Sequence, residues 1–140
     1  MRLVLDTNTV VSGLLWKGTE HTLLAEAGER TDIVLYASPK LLAELADVLS
    51  RKKLARVVAA SELSPDHLMS RYLDAVQVVA PADIPAVVLA DLDEDHVLAC
   101  ALAAQADLIV SGDPDLLNLK SYQGIPIVGT AEALDRIARR

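Results

Sequence analysis

Short apolar segments that alternate with helical stretches are the feature that most constrains how this chain can fold. Each segment is apolar on both faces, as strands are when both sides of a sheet are covered. The five segments comprise residues 2–5, 32–38, 76–81, 107–113 and 125–129. Strands separated by helices in this way favour a parallel sheet between two helical layers. We therefore predict a three-layer αβα fold around a central, mostly parallel five-stranded sheet.

Serine–proline pairs mark two of the helix starts between these strands. Ser38 before Pro39 and Ser64 before Pro65 each place a capping hydroxyl ahead of a proline at the first helical position. Helices are predicted at residues 22–30, 39–52, 53–60, 65–76, about 93–106 and 114–119, and Thr130 is predicted to cap a last one. No repeat, low-complexity segment or linker interrupts this pattern. We predict a single domain over residues 1–140.

Charge and cysteine content bear on the class of protein. The net charge of −7 argues against a general nucleic-acid binder, which normally carries a basic surface, unless clustered acids hold cations. The single cysteine excludes a disulfide within the chain and fits a reducing compartment. No apolar run reaches the roughly 20 residues that a membrane span needs. We expect a soluble, cytoplasmic protein with no membrane partner.

Four acidic residues occupy positions where a parallel sheet places its ligands. Asp6 ends the first predicted strand, and Asp113 ends the fourth, after Ser111 and Gly112. Ligands of open parallel sheets bind outside the carboxyl ends of the strands. Glu44 and Asp95 lie early in flanking helices. If the first and fourth strands are neighbours, we expect all four carboxylates to meet at this edge.

Four carboxylates in one pocket repel one another unless a counter-charge is present. No lysine or arginine lies near Asp6, Asp95 or Asp113 in the sequence, so a divalent cation is the simplest remedy. Ligands that are all oxygen favour Mg²⁺ or Mn²⁺ over zinc. Such a site suits hydrolysis of phosphate esters, because the metal activates water and neutralises charge that develops on the phosphate.

Three segments of the chain resemble the PIN-domain family. They read "LVLDTNTVVSGLL", "ELADVLSRKKL" and "DEDHVLACALAAQADLIVSGDPDLL", and they occur in the family's order over nearly the whole chain. The resemblance is to the VapC-like branch, the toxins of type II bacterial toxin–antitoxin pairs. It implies a ribonuclease that cleaves RNA with Mg²⁺ or Mn²⁺ and leaves a 5′-phosphate and a 3′-hydroxyl. It also implies an antitoxin as partner, and a homodimer is a further option.

The resemblance also assigns roles to the four acids. The family's first acid corresponds to Asp6 of the "DTN" motif, its second to Glu44 on a helix, its third to Asp95 and its fourth to Asp113 of "SGD". We predict that all four are catalytic. Asp6, Asp95 and Asp113 are expected to hold the metal, and Glu44 is expected to complete the shell or orient the water.

Supporting roles fall to four neighbouring polar residues. Asn8 either supports the site or caps the next segment. Ser111 stands where the family more often has threonine and keeps the hydroxyl. Asp93 is predicted to cap its helix and is the alternative ligand to Asp95. Asp115 is the second choice to Asp113.

The sequence gives weaker evidence for residues that contact RNA than for the acids of the site. The main basic cluster is Arg51, Lys52, Lys53 and Arg56. It is either a track for phosphates or a solvated helix end whose cations suit the helix dipole. Trp16 and Tyr122 either stack on bases or pack in the fold. We interpret His96 and Cys100 as structural.

Three other functions compete with an active nuclease. A catalytically silent PIN-like module would bind RNA or a partner without cutting, but all four acids are present. A receiver-like signalling domain needs a lysine after the fifth strand, and "VGTAE" has none. A haloacid-dehalogenase-type phosphatase requires "DxDxT" where this chain has "DTNTV". The metal-dependent ribonuclease is therefore our leading hypothesis.

Overall fold

One sheet organises the computed structural model, which describes residues 1–85 and 92–139, apart from the side chains of residues 92 and 93. Within these residues its strands are β1 (Arg2–Leu5), β2 (Val34–Ala37), β3 (Val76–Val78), β4 (Leu108–Val110), β5 (Ser121–Tyr122) and β6 (Ile125–Val128). Their order across the sheet is β3-β2-β1-β4-β6-β5. All neighbouring pairs are parallel except β5 with β6. The predicted three-layer αβα architecture is confirmed.

The sheet has six strands rather than the predicted five. The additional strand is β5, which forms a hairpin with β6 through the pair Tyr122 and Ile125. The two turn residues, Gln123 and Gly124, have φ values of 47° and 82°. Positive φ angles at both central residues are typical of the two-residue turns that join the strands of a hairpin. A two-residue strand has no hydrophobic period, so the sequence pattern could not reveal it.

The strands alternate with helices over most of the chain. The helices are α1 (Thr7–Leu15), α2 (Thr19–Glu29), α3 (Pro39–Leu49), α4 (Ala55–Ala60), α5 (Pro65–Ala75), α6 (Leu92–Ala104), α7 (Pro114–Leu119) and α8 (Thr130–Ala138), with a 3₁₀ turn at Lys52–Leu54. The two serine caps are confirmed, since Ser38 accepts from the amide of Leu41 and Ser64 from that of His67. None of the helices in the described part of the chain has the length and apolarity that crossing a bilayer requires.

Several helix starts differ from expectation, among them those of α2 at Thr19 and α4 at Ala55, which were predicted at residues 22 and 53. Helix α1, which was not predicted, begins directly after β1 and is capped by the side chain of Asp6. Thr130 is the first residue of α8 and not its cap, because Gly129 occupies the cap position. Helix α6 begins at Leu92, so Asp93 is its second residue rather than its cap.

Both faces of the sheet are covered, and β1 shows why. Its side chains alternate, as they must in a strand. Leu3 and Leu5 pack in one apolar cluster with residues such as Leu23 of α2. Val4 packs in a second cluster with residues such as Leu98 of α6. The strands at the centre of the sheet are therefore buried on both sides.

The ends of β1 and β4 lie side by side. In the parallel pairing Leu5 is opposite Val110. The amide of Asp6 continues the ladder and donates to the carbonyl of Val110 at 3.1 Å. The amide of Ser111 donates to the carbonyl of Val128 on β6 at 3.0 Å. The first and fourth predicted strands are therefore neighbours, which was the condition for Asp6 and Asp113 to lie side by side.

Candidate active site

An acidic cleft opens where β1 and β4 end. It is lined by Asp6, Thr7, Asn8, Glu44, Glu94, Val97 and Asp113. Its volume of about 40 Å³ accommodates a few water-sized groups. No lysine, arginine or histidine is found among the described residues of its lining. The cleft therefore concentrates negative charge, which attracts cations.

Asp6 is held in place by two hydrogen bonds to its carboxylate. It is only 6% exposed. Its Oδ1 accepts from the amide of Thr9 at 2.9 Å, which caps α1. Its Oδ2 accepts from the hydroxyl of Ser111. The strand end, the helix start and the neighbouring strand together determine where this carboxylate points.

Ser111 connects Asp6 to Asp113. Its side chain is fully buried, and its Oγ accepts from the amide of Asp113 at 2.9 Å while its hydroxyl donates to Asp6. Asp113 in turn caps α7, since its Oδ1 accepts from the amide of Asp115 at 2.8 Å. That cap uses Oδ1, and a carboxylate with two oxygens can cap a helix and bind a cation at once.

Glu44 reaches the cleft from helix α3. It lies in the second turn of that helix, between the buried residues Leu41 and Leu45, and its own side chain is half-buried. Helix α3 follows β2, which pairs with β1. This connection brings Glu44 to the wall of the cleft, as its place in the sequence predicted.

Glu94, not Asp95, is the acid of helix α6 that lines the cleft. Both residues are 7% exposed, and the Oε2 atom of Glu94 is enclosed by protein. Asp95 lines a different pocket, which it shares with Lys40 and His96. Successive residues of a helix point about 100° apart, which agrees with Glu94 and Asp95 lining different pockets. The structure thus brings Asp6, Glu44 and Asp113 together as predicted and adds Glu94 in the place expected for Asp95.

One signal in the sequence could have identified Glu94. It lies one helical turn before Val97, and the two residues line the same cleft. The signal was ambiguous because residues 97–101 are buried all round the helix. An apolar helix of this kind has no polar face from which to read its orientation.

Asp115, the second choice in the sequence, lies near the cleft acids. Carboxylate oxygens of Glu94, Asp113 and Asp115 all lie within 4.8 Å of one another. Neighbouring ligands of an octahedral magnesium ion are separated by roughly 3 Å, and opposite ones by about 4 Å. The donors in this set are all carboxylate oxygens, the type of ligand that Mg²⁺ and Mn²⁺ prefer.

Asn8 and Asp93 are two further residues that were predicted to support the site. Asn8 is exposed and lines the cleft. The side chain of Asp93 lies outside the described part of the protein.

The basic cluster is exposed and does not line the cleft. Arg51 pairs with Asp47 at 3.0 Å, and Lys52 and Lys53 belong to the 3₁₀ turn. Arg56 alone of this cluster lines a second groove, together with Trp16.

Cys100 and Tyr122 pack in the second apolar cluster. Burial raises the pKa of the Cys100 thiol to about 11, partly opposed by a hydrogen bond with Ser38. A thiol that stays protonated is a weak nucleophile and a poor metal ligand. This supports the structural interpretation of Cys100.

The chain is similar to a known family in sequence and to a solved structure in fold. The model of a family described as PIN domain matches residues 2–115, a range that contains every acid of the cleft. A similar solved structure is that of VapBC2 from Rickettsia felis bound to a DNA fragment from their promoter. It has 13% sequence identity and a TM-score of 0.60, and the match covers 92% of this chain and 98% of the other. No curated protein matches. At this identity the solved structure establishes likeness of fold.

Proposed function

Because this chain belongs to the PIN-domain family, we propose that its acidic cleft is the active site of a metal-dependent endoribonuclease. The observation that carries the proposal is the meeting of Asp6, Glu44, Glu94 and Asp113 in one cleft. These four acids come from the ends of β1 and β4 and from helices α3 and α6. Carboxylates held so close together repel one another, which destabilises the fold, and a bound cation offsets this repulsion.

The cleft acids and Asp115 would hold one or two Mg²⁺ or Mn²⁺ ions. Carboxylate oxygens of Glu94, Asp113 and Asp115 lie within 4.8 Å of one another, and two hydrogen bonds restrain the carboxylate of Asp6. In this revised set Glu94 replaces Asp95. A bound divalent ion would supply a Lewis acid that favours attack of water on the phosphate and neutralises charge on the leaving oxygen.

The protein's own groups would position the substrate and move the proton. Asp6 presents a fixed oxygen because Ser111 and the amide of Thr9 restrain its carboxylate. Glu44, on the wall formed by α3, would accept a proton from the attacking water. The bond from phosphorus to the 3′-oxygen would then break, and the 3′-oxygen would take up a proton from solvent, which leaves a 5′-phosphate and a 3′-hydroxyl.

We extend the proposal to the role of a toxin in a toxin–antitoxin pair. The sequence resembles the VapC-like branch, and the fold is similar to that in the VapBC2 crystal structure. An antitoxin would then be the cognate partner. Expression of this chain alone should arrest growth, and co-expression of the neighbouring gene should relieve the arrest. Harmless expression of an active nuclease would count against this role and leave the enzymatic proposal intact.

Cleavage of RNA tests the enzymatic proposal directly. The purified protein is incubated with a mixed RNA pool in Mg²⁺, in Mn²⁺ and in EDTA. We expect cleavage with either metal and none in EDTA or with Asp6→Asn. Glu44→Gln should slow the reaction roughly 10²- to 10⁴-fold, the usual contribution of a general base.

Two results would contradict the proposed activity. Cleavage that persists in EDTA or in Asp6→Asn would exclude the metal–carboxylate mechanism. Absence of cleavage with both metals, in protein shown to be folded, would favour the catalytically silent alternative.

A further inference from the structure

A groove much larger than the acidic cleft lies between helices α1, α2, α4 and α5. Its volume is about 640 Å³, within the range of protein ligand sites. Leu14, Leu15 and Leu63 are among its apolar lining residues. Its other notable members are Trp16, Lys17, His21, Arg56 and Arg71. We call this surface the cationic groove.

Charge distinguishes the cationic groove from the rest of the protein. The chain carries a net charge of −7, yet no acid occurs among the described residues that line the groove. The ion pairs found in the described residues engage Arg30, Arg51, Arg136 and Arg139. None of these pairs involves Lys17, Arg56 or Arg71, and all three are exposed. Their charge is therefore available to an anionic ligand.

Trp16 gives the groove an exposed aromatic ring. It is 48% exposed, which is unusual for so large an apolar side chain. It caps the C-terminal end of α1, where its amide donates to the carbonyl of Ser12 at 3.0 Å. Exposed aromatic rings flanked by cations are typical of surfaces that bind single-stranded nucleic acid, because bases stack on the rings while phosphates contact the cations.

Helix α1 connects the acidic cleft to the cationic groove. Asn8 lines the cleft, Ser12 follows one turn later on the same face of α1, and Trp16 caps the far end of the helix. A shallow surface that includes Asn8, Ser12 and Asp113 continues from the cleft along this face. At a rise of 1.5 Å per residue, Asn8 and Trp16 are about 12 Å apart along the helix. A strand of RNA in the cleft could therefore reach the groove within a few nucleotides.

We propose that the cationic groove binds a single-stranded segment of the RNA substrate next to the cleaved bond. Bases stack against Trp16, and phosphates contact Arg56 and Arg71. This assignment rests on the ribonuclease function proposed above and names where its substrate is held. The basic cluster was one candidate for a track that contacts phosphates. Of its residues only Arg56 lines the groove, so the present assignment gives Arg51, Lys52 and Lys53 no phosphate contact.

Binding of RNA without cleavage tests the proposal. Affinity for a fluorescein-labelled, mixed-sequence single-stranded RNA is measured by anisotropy in EDTA over a series of salt concentrations. Trp16→Ala should weaken binding roughly fivefold or more, the loss of about one stacked base. Arg56→Gln with Arg71→Gln should reduce the slope of log affinity against log salt by about 1.4, or roughly 0.7 per phosphate contact.

Matched variants separate the groove from general effects. Trp16→Phe keeps an aromatic ring and should retain most of the affinity. Arg136→Gln with Arg139→Gln removes the same charge from helix α8, outside the groove, and should leave the slope unchanged. Thermal unfolding checks that each variant is folded, and the exposed arginine pair provides the test even if Trp16→Ala is not.

Unchanged affinity and salt slope in the groove variants would overturn the proposal and leave the groove to a protein partner. The measurement in EDTA requires neither a metal ion in the cleft nor cleavage of the RNA. Groove-dependent binding without cleavage in any metal would therefore refute the nuclease and support the groove. Metal-dependent cleavage with groove-independent binding would support the nuclease and refute the groove.

Discussion

At the scale of single residues, Ser111 shows how one hydroxyl organises a site. It donates to the carboxylate of Asp6 and accepts from the amide of Asp113, so it restrains two acids that lie 107 residues apart in the chain. Hydrogen bonds to charged groups are worth about 1.5–3 kcal/mol, and this one is buried. Threonine, the more usual residue in the family, carries the same hydroxyl. The departure at this position therefore preserves the chemistry.

Two adjacent acids of α6 provide a sharp test of the site. Glu94→Gln and Asp95→Asn remove the same charge from side chains of equal exposure, but only Glu94 lines the cleft. We expect Glu94→Gln to weaken Mn²⁺ binding at least as much as loss of an outer-shell partner, roughly 10- to 100-fold. Asp95→Asn should bind Mn²⁺ with the affinity of the natural protein.

Calorimetric titration with Mn²⁺ measures both affinities, and RNA cleavage rates should follow the same order. The reverse order, with Asp95→Asn the weaker binder, would return Asp95 to the ligand set. Urea unfolding of each variant shows whether a loss of binding reflects a loss of fold.

At the scale of elements, the position of α1 matters most, because this helix runs from the acidic cleft to the cationic groove. Its approach to α2 depends on Gly13. A Cβ atom at this position would lie 2.6 Å from Cδ1 of Leu24 and 2.9 Å from the carbonyl oxygen of Glu20. His21 also donates from Nδ1 to the carbonyl of Gly13 at 3.1 Å. Only glycine allows the two helices to pack this closely.

Gly13→Ala should lower the free energy of unfolding by about 1–3 kcal/mol, because the added methyl overpacks the contact. The higher helix propensity of alanine, worth about 1 kcal/mol, offsets part of this loss. Gly28→Ala is the matched control, since Gly28 also lies within a helix but a Cβ there meets nothing within 4 Å. It should be neutral or stabilising by up to about 1 kcal/mol.

Urea unfolding followed by circular dichroism measures both free energies. Equal effects of the two substitutions would show that the approach of α1 to α2 is not limited by Gly13.

At the scale of the whole molecule, the buried thiol of Cys100 and the buried hydroxyl of Tyr72 make stability depend on pH in the alkaline range. Burial raises the pKa of the Cys100 thiol to about 11 and raises the pKa of the Tyr72 hydroxyl above its ordinary value. The folded protein thus keeps the proton on Cys100 when the unfolded chain, with an ordinary pKa near 9, has already lost it. A state that binds more protons is weakened as pH rises.

Below about pH 9 the thiol of Cys100 is protonated in both states, so it should not lower the free energy of unfolding. Between about pH 9 and pH 11 that free energy should fall as pH rises. Urea unfolding at intervals across this range measures the fall. Cys100→Ala should make the curve shallower between about pH 9 and pH 11, and Tyr72→Phe should reduce the decline from about pH 10 upward, where the unfolded chain begins to lose this proton. A Cys100→Ala curve parallel to that of the natural protein would show that the thiol does not contribute.

Local sequence patterns were sufficient for most elements and for two of the four acids of the cleft, Asp6 and Asp113. Apolar runs located β1, β4 and β6, because a strand covered on both faces needs apolar residues at every position. Asp6 and Asp113 could be predicted because each directly follows a strand or its short extension, and strand ends define the site edge. Glu44 could be predicted on the resemblance to the family.

What the sequence by itself determined is thus the alternation of strands and helices, the αβα class and the sheet edge where acids meet. Tertiary structure alone decided that Glu94 and not Asp95 faces the cleft, because residues 97–101 of α6 are buried all round and the rotation of the helix depends on what packs against it. It also decided the pairing of β5 with β6 and the gathering of Lys17, Arg56 and Arg71 into one groove. Those residues belong to separate elements, so no local pattern specifies their distance.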